Sequence, residues 1–483
     1  YISFFLSYIN DISNESQFLI LFGNLYKIIL KNLVKAKIFY NLATKANNSD
    51  AFLQIGDLYF DGFDTKYFQN YEKAIENYKL AANLNNCEAL LKLGNIYLNG
   101  IDNVVEPDCA KAKKYFEQAA EQDSAEAYYN LGLLYYTGNG VEIDFFQAKE
   151  FFEIAAQQNY SKAFIHLGTL YFNGQGVEQN ISKAKENYEI AIKLNNPDAY
   201  VNLGNLYFVN PSIPQNFLIA KMYYETAAKF NVPDGFLNLG NIYLNGNGVI
   251  PNFLIAKNYF EEAAKLKNAK ALIQLGNLYL NGIGVVQDYS IAKHYFELAE
   301  ELQNPESFII LGNLYFEGTI VKQDMNKARK YYEKAVKHDR SAFLNLGNCY
   351  LNGYGGDIDY KKAKECYEIA SNDNNPIALL FLGDMYINGF GCEKDFDKGN
   401  DCYVRSSKFG CDEALNKIGL IYENGFGTEK DYSKARKWYE LSASKNNSNA
   451  YNYLGALYLN KIHQHPFNYL NCSYKISFCI LRE

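Results

Sequence analysis

Ala163-Phe-Ile-His-Leu-Gly-Thr-Leu-Tyr-Phe-Asn-Gly174 is followed by Gln175-Gly-Val-Glu-Gln179 and then by Asn180-Ile-Ser-Lys-Ala-Lys-Glu-Asn-Tyr-Glu-Ile-Ala-Ile-Lys-Leu194. Ala163, Leu167, Gly168 and Tyr171 share one face at helical spacing, and Ala184, Tyr188 and Ala191 do the same in the second half. The stretch reads as two antiparallel helices, A and B, of about 11 and 14 residues joined by a glycine-bearing turn.

The same unit recurs along the chain. A Gly after an apolar residue stands at 23, 56, 94, 132, 168, 204, 240, 276, 312, 347, 383, 419 and 455, and a Tyr follows three residues after each. The spacing is 33, 38 and 38 residues, then 36 five times, 35, and 36 three times. The Gly and the helix B alanine let the two helices approach closely. The aromatic four residues after that alanine is expected to fill the space between hairpins. No single hairpin buries its apolar face alone, so the hairpins must stack.

The polar punctuation agrees. Asp or Asn stands four residues before the helix B alanine in all twelve complete units: Asn32, Asn70, Asp108, Asp144, Asn180, Asn216, Asn252, Asp288, Asp324, Asp359, Asp395 and Asp431. These are preferred N-caps, because the side-chain oxygen accepts from unpaired first-turn N–H groups. Asn196-Pro197, Asn304-Pro305 and Asn375-Pro376 read as a cap followed by Pro at the start of helix A. Helix A usually ends in Asn-Gly, where Gly supplies positive φ.

The pattern Ala…Leu-Gly-x-x-Tyr-x-x-Gly-x-Gly-Val…Lys-Ala-x-x-Tyr-x-x-Ala-Ala resembles the Sel-1-like repeat, a relative of the tetratricopeptide repeat. The resemblance runs from about Phe18 to Lys461. It implies an all-α, right-handed superhelical solenoid of antiparallel hairpins: about twelve repeats of ~36 residues plus a half repeat. The family often places Gly after helix B. Here Asn or Asp is usual, as at Asn159 and Asn195, and Asn tolerates the left-handed conformation. Residues 1–17 and 462–483 are left unassigned on either side of the array at 18–461. The first residue is Tyr1 rather than Met, so an upstream segment is expected.

Composition excludes several classes. The chain has 483 residues, 48% hydrophobic and 16% aromatic, which is the opposite of a disordered chain. A net charge of −7 argues against general binding to nucleic-acid phosphates. No apolar run of about 20 residues suits a membrane span. Nine Cys at irregular positions (87, 109, 349, 366, 392, 402, 411, 472 and 479) suggest reduced thiols and a cytoplasmic setting. An endoplasmic-reticulum setting is the alternative if a signal or anchor lies upstream.

No catalytic constellation emerges, and no cofactor, metal or small-molecule substrate is expected. Gly138-Asn-Gly140 joins two helices and lacks the third Gly of a dinucleotide fingerprint. His463, His465, Cys472 and Cys479 match no familiar zinc spacing. The Lys or Arg after the helix B alanine, present in ten of twelve units, pairs with a Glu four residues on in nine. That pattern is expected on a solvated convex face.

One feature exceeds its background. The residue just after the repeat Gly is Asn in seven of thirteen units, against 57 Asn in the whole chain. Asn is a poor helix former, so helix stability does not select it. Positions two before, one after and five after the Gly fall on one stripe, expected opposite the core. The stripe carries Asn202, Asn205, Asn238, Asn241, Asn245, Gln274, Asn277, Asn281, Asn313, Asn345, Asn348 and Asn352. In tetratricopeptide-like stacks helix A lines the concave groove, so the resemblance makes these residues a candidate protein-binding groove. An amide there both donates to and accepts from a peptide backbone. His166, Gln274 and Lys417 are expected to set selectivity. The alternative is an Asn ladder that only ties repeats together. The resemblance implies a non-catalytic scaffold or adaptor; some family members serve endoplasmic-reticulum-associated degradation. The other reading is a regulatory array within a larger enzyme such as a kinase.

Overall fold

The computed structural model describes residues 12–62, 69–101, 104–209, 216–318 and 321–464. Among them stand twenty-five α-helices and no strand; one isolated bridge joins Ile101 to Val105. The chain divides into two compact units, residues 1–251 and 252–483. The first runs from helix Ile12–Ile28 to helix Pro233–Asn245, and the second from Phe253–Lys265 to Ser448–Gln464. Within each, helices A and B pair as antiparallel hairpins that stack in sequence order, an all-α solenoid.

Most helices of both kinds are 13 residues long, so helix A is longer and helix B shorter than the spacing suggests. All twelve expected Asp and Asn caps accept a first-turn N–H, as Asn180 does from Lys183 N at 2.9 Å. Asn159 and Asn195 both take φ of 60°, the left-handed form that the Asn-for-Gly exchange requires. Lys267 and Gln303 adopt it as well, at 60° and 55°. The last helix runs to Gln464, and the residues after it lie outside those described.

The helix B aromatic fills the space between hairpins as expected, and it has a second contact that the spacing does not reveal. Its ring reaches the next hairpin, as Phe152 meets His166 with centroids 5.1 Å apart and Tyr367 stacks on Phe381 at 5.4 Å, and it also lies over the glycine of its own hairpin. A methyl group at Gly132 would fall 2.6 Å from Cε1 of Phe152, and one at Gly347 would fall 2.6 Å from Cε1 of Tyr367. Phe152 and Tyr367 are fully buried, as are Ala148 and Ala363 one turn earlier. The glycine is therefore the seat of a ring.

The basic residue after the helix B alanine also departs from its reading as a solvated side chain. Lys149 meets Glu153 at 2.6 Å and Arg329 meets Glu333 at 3.1 Å, as the i,i+4 spacing predicts. Yet these two side chains are only 20% and 16% exposed. Arg329 lies 4.3 Å from the ring centroid of Tyr350 in the next repeat, and Lys113 lies 5.2 Å from that of Tyr135. The long aliphatic stem reaches across the repeat boundary and places the cation on the ring face.

Candidate functional site

The helix A stripe is not opposite the core at every position. From Gln54 to Leu420, residues two before and one after the repeat Gly are half-buried, and those five after it are exposed. The cause is the helix B ring. Where that ring is Tyr, its hydroxyl reaches past the Gly to the residue that follows. Tyr224 donates to Asn205 Oδ1 at 2.6 Å, Tyr332 to Asn313 at 2.8 Å and Tyr367 to Asn348 at 2.7 Å. Tyr40 does the same to Asn24, Tyr78 to Asp57 and Tyr403 to Asp384. Tyr188 shares a hydrogen bond with the Thr169 hydroxyl. Tyr439 faces a repeat with Leu420 after its glycine and donates instead to Glu423 at 2.7 Å. A buried phenol needs such an acceptor. Burial pushes the Tyr188 hydroxyl up to about 12 and raises that of Tyr224 as well.

Four repeats carry Phe in this column: Phe116, Phe152, Phe260 and Phe296. Their residues after the glycine are Asn95, Leu133, Asn241 and Asn277. Among the described residues, the side chains of Asn95, Asn241 and Asn277 make no hydrogen bond. The stripe thus contains two kinds of amide. In Asn205, Asn313 and Asn348 the Oδ1 is held by a phenol. In Asn95, Asn241 and Asn277 both the donor and the acceptor are unclaimed.

Some stripe residues do tie neighbouring repeats. Asn238 Nδ2 donates to Asn205 Oδ1 at 3.4 Å. The same two columns hold Lys92 against Asp57 at 3.3 Å and Lys417 against Asp384 at 2.9 Å. Lys417 is therefore paired within the array. Asn202, Asn281 and Asn352 bond back to carbonyls of their own helices, at Asp198, Asn277 and Asn348. Gln274 and Asn345 are half-buried, and Asn245 is exposed. Reading only the amides in these columns missed Asp57 and Asp384, and the amides Asn95 and Asn130 were passed over. The Asn130 Nδ2 is buried without a partner. Their alignment with the stripe was the available signal.

His166 is wedged among Tyr129, Tyr136 and Phe152, with ring centroids 5.3, 5.7 and 5.1 Å away. Its Nδ1 lies 3.2 Å from the Lys162 carbonyl. Burial holds its pKa below the ordinary value, and the Lys162 charge adds to that. The folded chain therefore keeps this ring neutral where the unfolded chain would take a proton. Its contribution is intact above the unfolded pKa, about 6.5. It is lost as pH falls through the lowered folded value. His166→Asn should melt less pH-dependently than wild type between pH 7.5 and 5. Parallel pH profiles of melting temperature would remove His166 as the cause.

Among the described residues, no group of His, Cys, Asp and Glu is placed to hold a metal. None of their helices is long and apolar enough to cross a membrane. The side chains of His463, His465, Cys472 and Cys479 lie outside the described residues. The seven described cysteines are free thiols, and burial pushes Cys349 up to about 11 and Cys366 up to about 12.

Stacked hairpins with a polar helix A face define a helical repeat protein of the interaction type. The Sel1 repeat model matches eleven stretches: 50–86, 87–124, 125–160, 162–196, 197–229, 237–268, 269–304, 309–339, 342–375, 376–408 and 412–447. The chain belongs to the Sel1 repeat family, whose repeats generally mediate protein–protein interaction. Similar solved structures include a protective antigen of uropathogenic Escherichia coli displaying an SLR fold. It is 25% identical over 88% of this chain and 94% of its own, with a TM-score of 0.48. A Sel1 repeat protein from Oxalobacter formigenes is 25% identical over 64% and 90%, TM-score 0.43. An immunity protein from Pseudomonas aeruginosa is 19% identical over 45% and 81%, TM-score 0.35. The comparison with curated proteins gives no match.

Proposed function

We propose that this chain is a non-catalytic scaffold in which the helix A faces of each unit hold extended partner-protein segments by their main chain. Asn95 and Asn241 serve in the first unit and Asn277 in the second. The observation that carries this reading is that these three half-buried amides have no partner among the described residues. Each offers one donor and one acceptor, the complement of one peptide unit. Such bonds give affinity with little demand on partner sequence. Flanking stripe residues such as Gln274 and Asn345 then supply selectivity. The free thiols and buried, protonated cysteines support a reducing, cytoplasmic setting.

Changing Asn241 and Asn277 together to Ala tests the reading. Each lost hydrogen bond costs about 0.5 to 1.5 kcal/mol, so affinity for a purified partner should fall roughly tenfold or more. The melting temperature should hold or rise, because Ala is the better helix former. Unchanged affinity together with a lower melting temperature would assign both residues to the framework and defeat the proposal.

A further inference from the structure

We infer that the helix B aromatic sets, repeat by repeat, how much of the helix A amide is available to a partner: Tyr occupies part of its acceptor and Phe leaves the whole of it open. The inference rests on the main-chain-binding reading above and adds its specificity determinants. Neither column shows it alone. In seven of the eight repeats with Tyr, the phenol meets the oxygen of the residue after the glycine; in the eighth, Leu420 has none and Glu423 substitutes. The geometry is the same each time, because the glycine seats the ring and aims its para position at that residue. Phe296 is seated on Gly276 in the same way and is fully buried, but presents only C–H there. Asn277 consequently keeps its acceptor as well as its donor. In the first unit Phe116 sits on Gly94 and leaves Asn95 in the same state.

A closed amide is not inert, but one lone pair of its oxygen is taken. With one Oδ1 lone pair accepting from Tyr332, Asn313 has Nδ2 and a single acceptor lone pair left for a partner. It also does structural work, since removing it orphans a buried phenol. An open amide does none. The two classes therefore differ even without a ligand. Asn205→Ala, Asn313→Ala and Asn348→Ala should each lower the melting temperature, whereas Asn95→Ala and Asn277→Ala should leave it level or raise it. The same direction of change in both classes overturns the inference.

The binding arm uses a peptide selected against the wild-type protein from a random-sequence display library, titrated against each variant. Phe296→Tyr adds one oxygen to an unchanged ring and hands it part of the Asn277 acceptor. Affinity should fall by about three- to tenfold, somewhat less than for Asn277→Ala. Combining Phe296→Tyr with Asn277→Ala should weaken binding no further than Asn277→Ala alone, which separates gating from damage to the fold. Tyr332→Phe, which frees Asn313, should not weaken binding. If Asn277→Ala weakens the peptide and Phe296→Tyr does not, gating fails while main-chain binding stands. If neither variant matters, the main-chain-binding reading falls first and takes gating with it.

Discussion

Gly132→Glu should unfold the repeats around it. A Cβ at this position lies 2.6 and 2.7 Å from two carbons of the Phe152 ring and 3.2 Å from the Ala148 carbonyl. Phe152 and Ala148 are fully buried, so the ring has no free volume to enter. Overpacking of this kind costs about 1 to 3 kcal/mol. The carboxylate adds to that, because burying an unpaired charge costs several kcal/mol more or forces the helices apart. Glu261→Ala is the control, for it removes only an i,i+4 partner of Lys257, worth about 0.3 to 0.5 kcal/mol. Far-UV circular dichroism melts of the two variants should differ widely. Matching melting temperatures would mean that the glycine does not seat the ring.

Gly176→Ala should cost much more than Gly174→Ala, although the two glycines share one turn and one sign of φ. Both sit near +70°, at 66° and 69°, so both pay the left-handed penalty of about 1 to 2 kcal/mol. Their surroundings differ. A Cβ at Gly174 meets nothing closer than Gln179 Cβ at 3.2 Å, so the surface turn at Gln179 need give by only a few tenths of an ångström. A Cβ at Gly176 falls 2.7 Å from the Phe145 carbonyl carbon and 2.8 Å from its oxygen. Those are backbone atoms at the start of helix B of the preceding repeat, and they cannot move aside. The added strain is about 1 to 3 kcal/mol. Equal losses in chemical denaturation would show that the loop does not dock on its neighbour.

That second glycine marks a limit of what the residues alone reveal. Hairpin pairing, the twelve caps and the left-handed Asn positions were legible, because each is a local pattern within one helix or one turn. Gly176 read only as a turn residue, because its reason lies on Phe145 in the previous unit. The same holds for the basic column. Helical periodicity puts Lys149 and Arg329 on an outer face, but not their cations on a ring of the next repeat. The aromatic column read as interchangeable packing, since Tyr and Phe fill the same volume. What separates them is a single oxygen and its acceptor 19 residues earlier, as in Asn205 and Tyr224. That relation shows only when two columns are compared. The stripe was visible as a surplus of Asn; its division into held and unheld amides was not.

The seating of one ring on one glycine also bears on how such an array changes over generations. Exchanging Tyr for Phe leaves the ring, its volume and its contact with the glycine in place. Each repeat whose glycine is followed by an acceptor side chain therefore carries something close to a binary digit that mutates without disturbing the fold that stores it. Tyr40, Tyr78, Phe116, Tyr188, Tyr224, Phe260, Phe296, Tyr332, Tyr367 and Tyr403 spell one such word. A lineage could rewrite it letter by letter, and a designer could do the same, while every hairpin keeps its neighbour.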